Sequence, residues 1–210
     1  MVKRNKRDNR QKILDTARDL FSNKGFDGTS VDSICNTAGV NKALIYYYFR
    51  NKDDILQCLF REATDGLSRQ EQDPNDDPNI AVIEKIGREI QYLADHSQTL
   101  SLMMMEALKQ KGKNDYLFDL SAKIMDQTLA SRGFDIDDPE NISQNHKAMV
   151  HEFFTGILPV ISFVALGDKF SERFDIDKTT LARLFLEVFE ESHVATHVEP
   201  DEIGPHVLDG

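Results

Sequence analysis

Residues 29–52, TSVDSICNTAGVNKALIYYYFRNK, constrain the fold of this chain more than any other stretch. They divide at Gly39 into two short helical patterns. Val31, Ile34, Cys35 and Ala38 share one face of the first, while Ile45, Phe49 and part of Tyr48 share one face of the second. Glycine enters left-handed backbone space without a side-chain clash, so Gly39 permits a sharp corner between them. The first helix is expected to open at Thr29 or Ser30, with Asp32 three residues after Thr29 as a weak capping box. Asn41 and Asn51 are good N-caps for the next two helices, and Asp54 stands at the third position of the later one.

The flanking sequence continues in the same vein. An amphipathic helix is expected to begin near Asp8 and to stop at Gly25, with Ile13, Leu14, Ala17, Leu20 and Phe21 in one stripe. After Asn51, the residues Ile55, Leu56, Leu59, Phe60, Ala63 and Leu67 run along one face. A loop, DPNDDP, follows at 73–78. Further helices are expected over 79–95 (Ile83, Ile86, Ile90 and Leu93 inward), 98–110 (ended by Gly112), 114–131, 142–166 and 177–197. A break falls at 133–139, and residues after 199 read as a loose tail. No strand pattern or internal repeat stands out. The expected class is all-α, an N-terminal three-helix head on a C-terminal helical bundle. The domain bounds are 1–52 for the head, 53–199 for the body and 200–210 for the tail.

Net charge sharpens that division. The chain of 210 residues carries −11 overall. Residues 1–52 hold 11 Lys and Arg against 5 Asp and Glu, a net of +6, and the remainder holds 14 against 31, a net of −17. A small basic head on an acidic body is the asymmetry expected where only the head meets phosphate. The longest mainly apolar run, 157–166, is short of the roughly 20 residues that cross a bilayer. No apolar segment follows the basic N-terminus as a signal peptide requires, so no membrane partner and a cytoplasmic location are expected. Cys35 and Cys58 read as buried free thiols rather than a disulfide.

With Ile45 and Phe49 turned inward, Lys42, Ala43, Leu44, Tyr46 and Tyr47 are available outward, and Asn41 opens the same surface. Lys42 can reach phosphate or a guanine edge, and Ala43 and Leu44 can pack on thymine methyls. Thr29 and Ser30, at the start of the preceding helix, can meet a phosphate with side chain and free N–H groups. The basic arm of Lys3, Arg4, Lys6, Arg7, Arg10 and Lys12 either tracks phosphate or is a solubilising tail.

The pattern ILDTARDLFSNKGF, the Thr-Ser helix start, the Ala-Gly-Val corner and the Tyr-x-x-Phe followed by Asn-Lys resemble the DNA-binding domain of the TetR family of transcriptional regulators. The resemblance covers residues 8–59. It implies that Tyr46 contacts phosphate, that Tyr47 sits at the DNA, and that Lys52 meets a phosphate at the start of the following helix. It implies a homodimer in which the last two long helices form a four-helix interface. It also implies a repressor function.

The residues beyond 59 allow several roles. Residues 157–166 are apolar on nearly all sides, and Ile157, Val160, Ile161 and Val164 are expected at a dimer interface with Leu181, Leu184, Phe185 and Val188. Pro159 should kink this helix or orphan a carbonyl. Met103, Met104, Phe118, Met125, Phe153 and Phe154 can line a small-molecule pocket, or simply fill a core. Glu106, His151 and Glu152 can orient a ligand there or be paired elsewhere. His193 and His197 have a spacing that can hold a metal, but no third ligand is placed, and no metal or cofactor is expected. No catalytic arrangement stands out, since His151 and Glu152, adjacent on a helix, should face different directions. The expected function is a ligand-responsive DNA-binding regulator rather than an enzyme. Its partners would be a pseudo-palindromic duplex, an unknown small apolar effector and a second copy of the chain. Two alternatives stay open, a DNA-binding dimer without an effector and a helical binding module with a vestigial head.

Overall fold

The computed structural model of the chain describes residues 2–65, 82–109, 115–133 and 141–197, with side chains from Asp8 to Thr196 within those spans. The described elements are all helical: α1 Val2–Lys24, α2 Val31–Ala38, α3 Lys42–Tyr48, α4 Lys52–Thr64, α5 Val82–Ala94, α6 Ser97–Ala107, α7 Tyr116–Ser131, α8 Ile142–His151, α9 Leu158–Phe174 and α10 Lys178–Ser192. A π-helical turn, Glu152–Ile157, joins α8 to α9, and a 3-10 turn, Val194–His197, follows α10. The class is all-α, as expected. Leu67, the loop at 73–78, the helix start at 79, Gly112, most of the 133–139 break and the tail lie outside the described residues.

Several bounds differ from expectation. No breaker interrupts residues 2–24, so α1 starts at Val2 and Asp8 lies inside it. α2 starts at Val31, and its capping box is made by Ser30 and Ser33 rather than Asp32: Ser30 Oγ accepts from the Ser33 N–H, and Ser33 Oγ accepts from the Ser30 N–H. α9 continues eight residues past the expected end, to Phe174. There Asp175 turns left-handed (φ 54°), and Ser171 Oγ donates to the Ile176 carbonyl.

The chain divides into two compact units, Met1–Pro74 with Tyr92–Ile124, and Asn75–Gln91 with Met125–Gly210. In the first, α1 packs on α2 and α4, α2 on α3, and α6 on both α1 and α4. Ile13, Leu14, Phe21, Ile34, Ile45, Phe49, Ile55, Leu56 and Leu59 are buried. Each such side chain contributes about 1.5–3 kcal/mol on leaving water, which is why helices as short as α2 and α3 persist. Arg10 is drawn into this packing. Its guanidinium pairs with Glu62 at 3.0 Å and lies 5.4 Å from the Phe49 ring centroid, so it is not part of a loose arm.

In the second unit α9 packs on α10, with Phe163 stacked on Phe185 at 4.1 Å between centroids. The π turn sits just before Pro159. The Leu158 N–H reaches back five residues to the Phe153 carbonyl, and Pro159, which has no N–H to offer the preceding turn, follows directly where the wider π turn ends. The helical stretch 142–174 is, by length and composition alone, long and apolar enough to cross a bilayer, a test that the core helix of a soluble protein also passes, and the apolar run 157–166 within it stays as short as expected. Leu166, Phe170 and Phe174 along it are exposed.

Candidate nucleic-acid interface

Three caps fix the corner. Gly39 adopts φ 62°, closing α2, and its neighbour Val40 donates to the Cys35 carbonyl at 3.0 Å. Asn41 Oδ1 accepts from the Leu44 N–H at 2.8 Å, opening α3. Asn51 Oδ1 accepts from the Asp54 N–H at 2.8 Å, while Asp54 Oδ2 accepts from the Arg50 N–H at 2.9 Å, opening α4. Between these caps α3 buries Ile45 and the following Phe49. It turns Lys42, Ala43, Tyr46 and Tyr47 to solvent, with Tyr47 61% exposed, and leaves Leu44 and Tyr48 half-buried.

The charged groups around α3 are already engaged. Lys42 Nζ lies 2.8 Å from Asp32 Oδ1 on α2. That hydrogen bond, and then the carboxylate's charge, holds the Lys42 ammonium above the ordinary lysine value. Lys52 donates to two main-chain carbonyls, Phe26 at 2.7 Å and Thr29 at 2.8 Å, and its ammonium stands 4.1 Å from the Phe26 ring centroid. Thr29 itself is buried, its hydroxyl 2.9 Å from the Gly25 carbonyl and 3.2 Å from that of Leu20. Its N–H donates to the Phe26 carbonyl at 3.2 Å. Ser30 is exposed, with its hydroxyl oxygen committed to the cap. Lys52 and Thr29 thus build the turn that launches α2, and Ser30 caps the helix. Arg50 was missed in the sequence. It is exposed beside α3, with Nε 3.9 Å from Asp54, and its basic side chain after a tyrosine run is the signal that would have found it.

The body residues scatter. Met103, Met104, Glu106 and Phe118 belong to the first unit, and Met125, His151, Glu152, Phe153 and Phe154 to the second. Met103 and Met125 are buried, whereas Phe118 and Phe154 are exposed. Glu106 is buried and bonded to Lys109 at 2.7 Å. His151 and Glu152 do not face apart, because the π turn carries both to His193. The two imidazoles stack at 5.3 Å, and Glu152 Oε1 lies 3.7 Å from His193 Nε2. Arg132 approaches Glu152 Oε2 at 3.7 Å. His193 caps α10 rather than extending it to His197. Among the described residues no group of three or more metal-ligating side chains occurs.

Of the expected interface residues, Ile157 and Ile161 are buried within the chain, and Val160, Val164, Leu181 and Phe185 are half-buried. Leu184 and Val188 are exposed. Phe170 and Phe174, on the unexpected extension of α9, add to the exposed apolar surface. Cys35 and Cys58 are free; Cys35 is buried, but Cys58 is only half-buried, its Sγ 3.4 Å from the Arg61 guanidinium.

A brace helix, a left-handed glycine corner and a second short helix with an aromatic, cationic outer face define a helix-turn-helix protein. Residues 13–59 match the bacterial regulatory proteins, tetR family. The chain thus carries a tetR-family domain at residues 13–59. IcaR of Staphylococcus epidermidis, an HTH-type negative transcriptional regulator of the biofilm operon icaADBC, is 38% identical over 68 residues, 30% of this chain and 37% of IcaR. YttP of Bacillus subtilis, assigned to the HTH-type transcriptional regulators, is 43% identical over 60 residues, 29% of each chain. The chain therefore matches about a third of the length of these relatives. Among solved structures, a protein of Syntrophomonas wolfei assigned to the TetR-family transcriptional regulators superposes with a TM-score of 0.66 at 18% identity, covering 94% of this chain and 99% of that one. A TetR-family regulator of Streptomyces coelicolor gives 0.58 at 20% identity, covering 93% and 84%. At these identities the structures establish a shared fold.

Proposed function

We propose that the protein is a DNA-binding transcriptional regulator, located in the cytoplasm, that binds a pseudo-palindromic duplex as a homodimer. The observation that carries this reading is α3, with Ile45 buried and Lys42, Ala43, Tyr46 and Tyr47 turned outward. Tyrosine hydroxyls and lysine suit phosphate, and the small Ala43 admits a close approach to base edges. One short helix reads only a few base pairs. Two copies, about 34–36 Å apart, would read one face of the duplex. The exposed Leu166, Phe170, Phe174, Leu184 and Val188 on α9 and α10 support the dimer.

The finer proposal is repression released by a small apolar ligand. Negative regulation by IcaR supports the direction, and the half-buried Phe153 against the exposed Phe154 supports an apolar ligand. A second reading, a dimer without a small-molecule effector, is favoured by the burial of Met103 and Met125 as core and by the pairing of Glu106 with Lys109.

Selection of bound sequences from random duplexes, followed by footprinting at low and high salt, tests the central claim. Protection of two half-sites with affinity falling steeply in salt is expected. A lone unprotected duplex, or a monomer at micromolar concentration in the ultracentrifuge, would end the reading. Calorimetry with and without duplex separates the two effector readings, because a released repressor must bind its ligand more weakly on DNA.

A further inference from the structure

The turn at residues 26–29 launches α2, and two ammonium groups from distant parts of the chain hold it. Lys52, at the start of α4, takes the Phe26 and Thr29 carbonyls. Lys109, just beyond the end of α6, lies 2.7 Å from Asp27 Oδ2 and 2.7 Å from Glu106 Oε1. Its own N–H donates to the Glu106 carbonyl at 3.1 Å, so it moves with α6. The two carboxylates differ sharply in setting. The Glu106 side chain is 7% exposed and the Asp27 side chain 80%.

We infer that Lys109 is a positioning residue for the duplex-binding head, transmitting the position of the end of α6 through Asp27 to the start of α2. The inference rests on the DNA-binding reading of α2 and α3. The asymmetry of the two carboxylates decides which contact yields. Glu106 is buried and loses heavily if left without its cation. Asp27 is solvated and loses little on release. A shift of α6 therefore carries the ammonium with Glu106 and frees Asp27, and the turn remains held on the Lys52 side alone. Ser30, whose hydroxyl and N–H make the α2 capping box, follows that turn directly.

The test uses the full chain and the duplex recovered by the wild-type protein from a random pool. Asp27→Asn removes a negative charge from the head, so electrostatics alone would tighten binding. The positioning role has the opposite sign. Asp27→Asn should bind about three-fold more weakly, Lys109→Met should do the same, and Lys109→Arg should retain wild-type affinity. In the free protein, amide exchange at Ser33 and Ile34 should quicken in Asp27→Asn. Binding by Asp27→Asn as tight as wild type or tighter, or unchanged exchange at those amides, would overturn the inference. A wild-type chain with no salt-dependent duplex binding would overturn the DNA reading instead, and the exchange measurement would still decide whether Lys109 steadies α2.

Discussion

The ring of His193 lies against Gly156 so closely that a Cβ at position 156 would stand 2.6 Å from both Cε1 and Nε2. The glycine is there for space: its φ is not in the left-handed region, and it lies within the π turn. The same approach sets Thr155 Oγ1 2.9 Å from His193 Nδ1. Because the Thr155 hydroxyl donates to the His151 carbonyl at 2.7 Å, its oxygen accepts from the Nδ1–H. His193 Nε2 then faces Glu152.

Gly156→Ala should therefore destabilise the chain by about 1–3 kcal/mol in urea unfolding, through overpacking against a buried ring. His193→Ala in the same chain should recover part of that loss. Additive effects of the two substitutions would show that the close approach does not matter.

Lys52→Ala should weaken duplex binding while leaving its salt dependence nearly unchanged, because the ammonium is spent on the Phe26 and Thr29 carbonyls. A direct phosphate contact would instead lower the slope of log affinity against log salt by about one. Stability should fall by about 1.5–3 kcal/mol, the range for hydrogen bonds to a charged group. Affinity measured across a salt series distinguishes the two roles.

Asp32→Asn should tighten duplex binding several-fold at low salt. The substitution releases Lys42 from its 2.8 Å ion pair and removes an anion beside α3. The gain should shrink as salt rises. Fluorescence anisotropy at two ionic strengths reads both effects.

Acid should erode stability through His151. Burial, and then the charge of His193, holds its imidazole below the ordinary value of 6.5. The unfolded chain thus binds a proton that the folded chain refuses. Above about pH 7 both forms are neutral at this ring and it has no effect. As pH falls through 6.5 towards the lower folded value, stability is lost, by well under about 1.4 kcal/mol per pH unit for a partly exposed ring. Unfolding midpoints between pH 7.5 and 5.5 should fall in wild type and fall less in His151→Gln.

The helical class and the corner at Gly39 were legible because periodicity and a left-handed glycine are local signals. Ile45 and Phe49 turned inward as their spacing required. The roles of Lys52 and Thr29 were not legible, since their partners lie elsewhere in the chain: the Leu20 and Gly25 carbonyls for Thr29, and the Phe26 carbonyl for Lys52. The charged run after Gly167 masked the end of α9, and with it the exposure of Phe170 and Phe174. The meeting of His151, Glu152 and His193 was hidden for a further reason. An ordinary helix separates adjacent side chains by about 100°, and only a π turn set against a distant imidazole brings these together.

That turn has a consequence for comparing this chain with its kin. A π turn holds one residue more than the α-helical path it replaces. Deleting a single residue from 152–157 would let the turn close as ordinary α-helix and leave the 17 residues of α9 in place, whereas a regular α-helix that loses a residue turns by about 100° beyond the gap. Ile161 would stay in the interior, one number earlier in the sequence. Alignments that ignore this one-residue step would set inner positions against outer ones throughout α9.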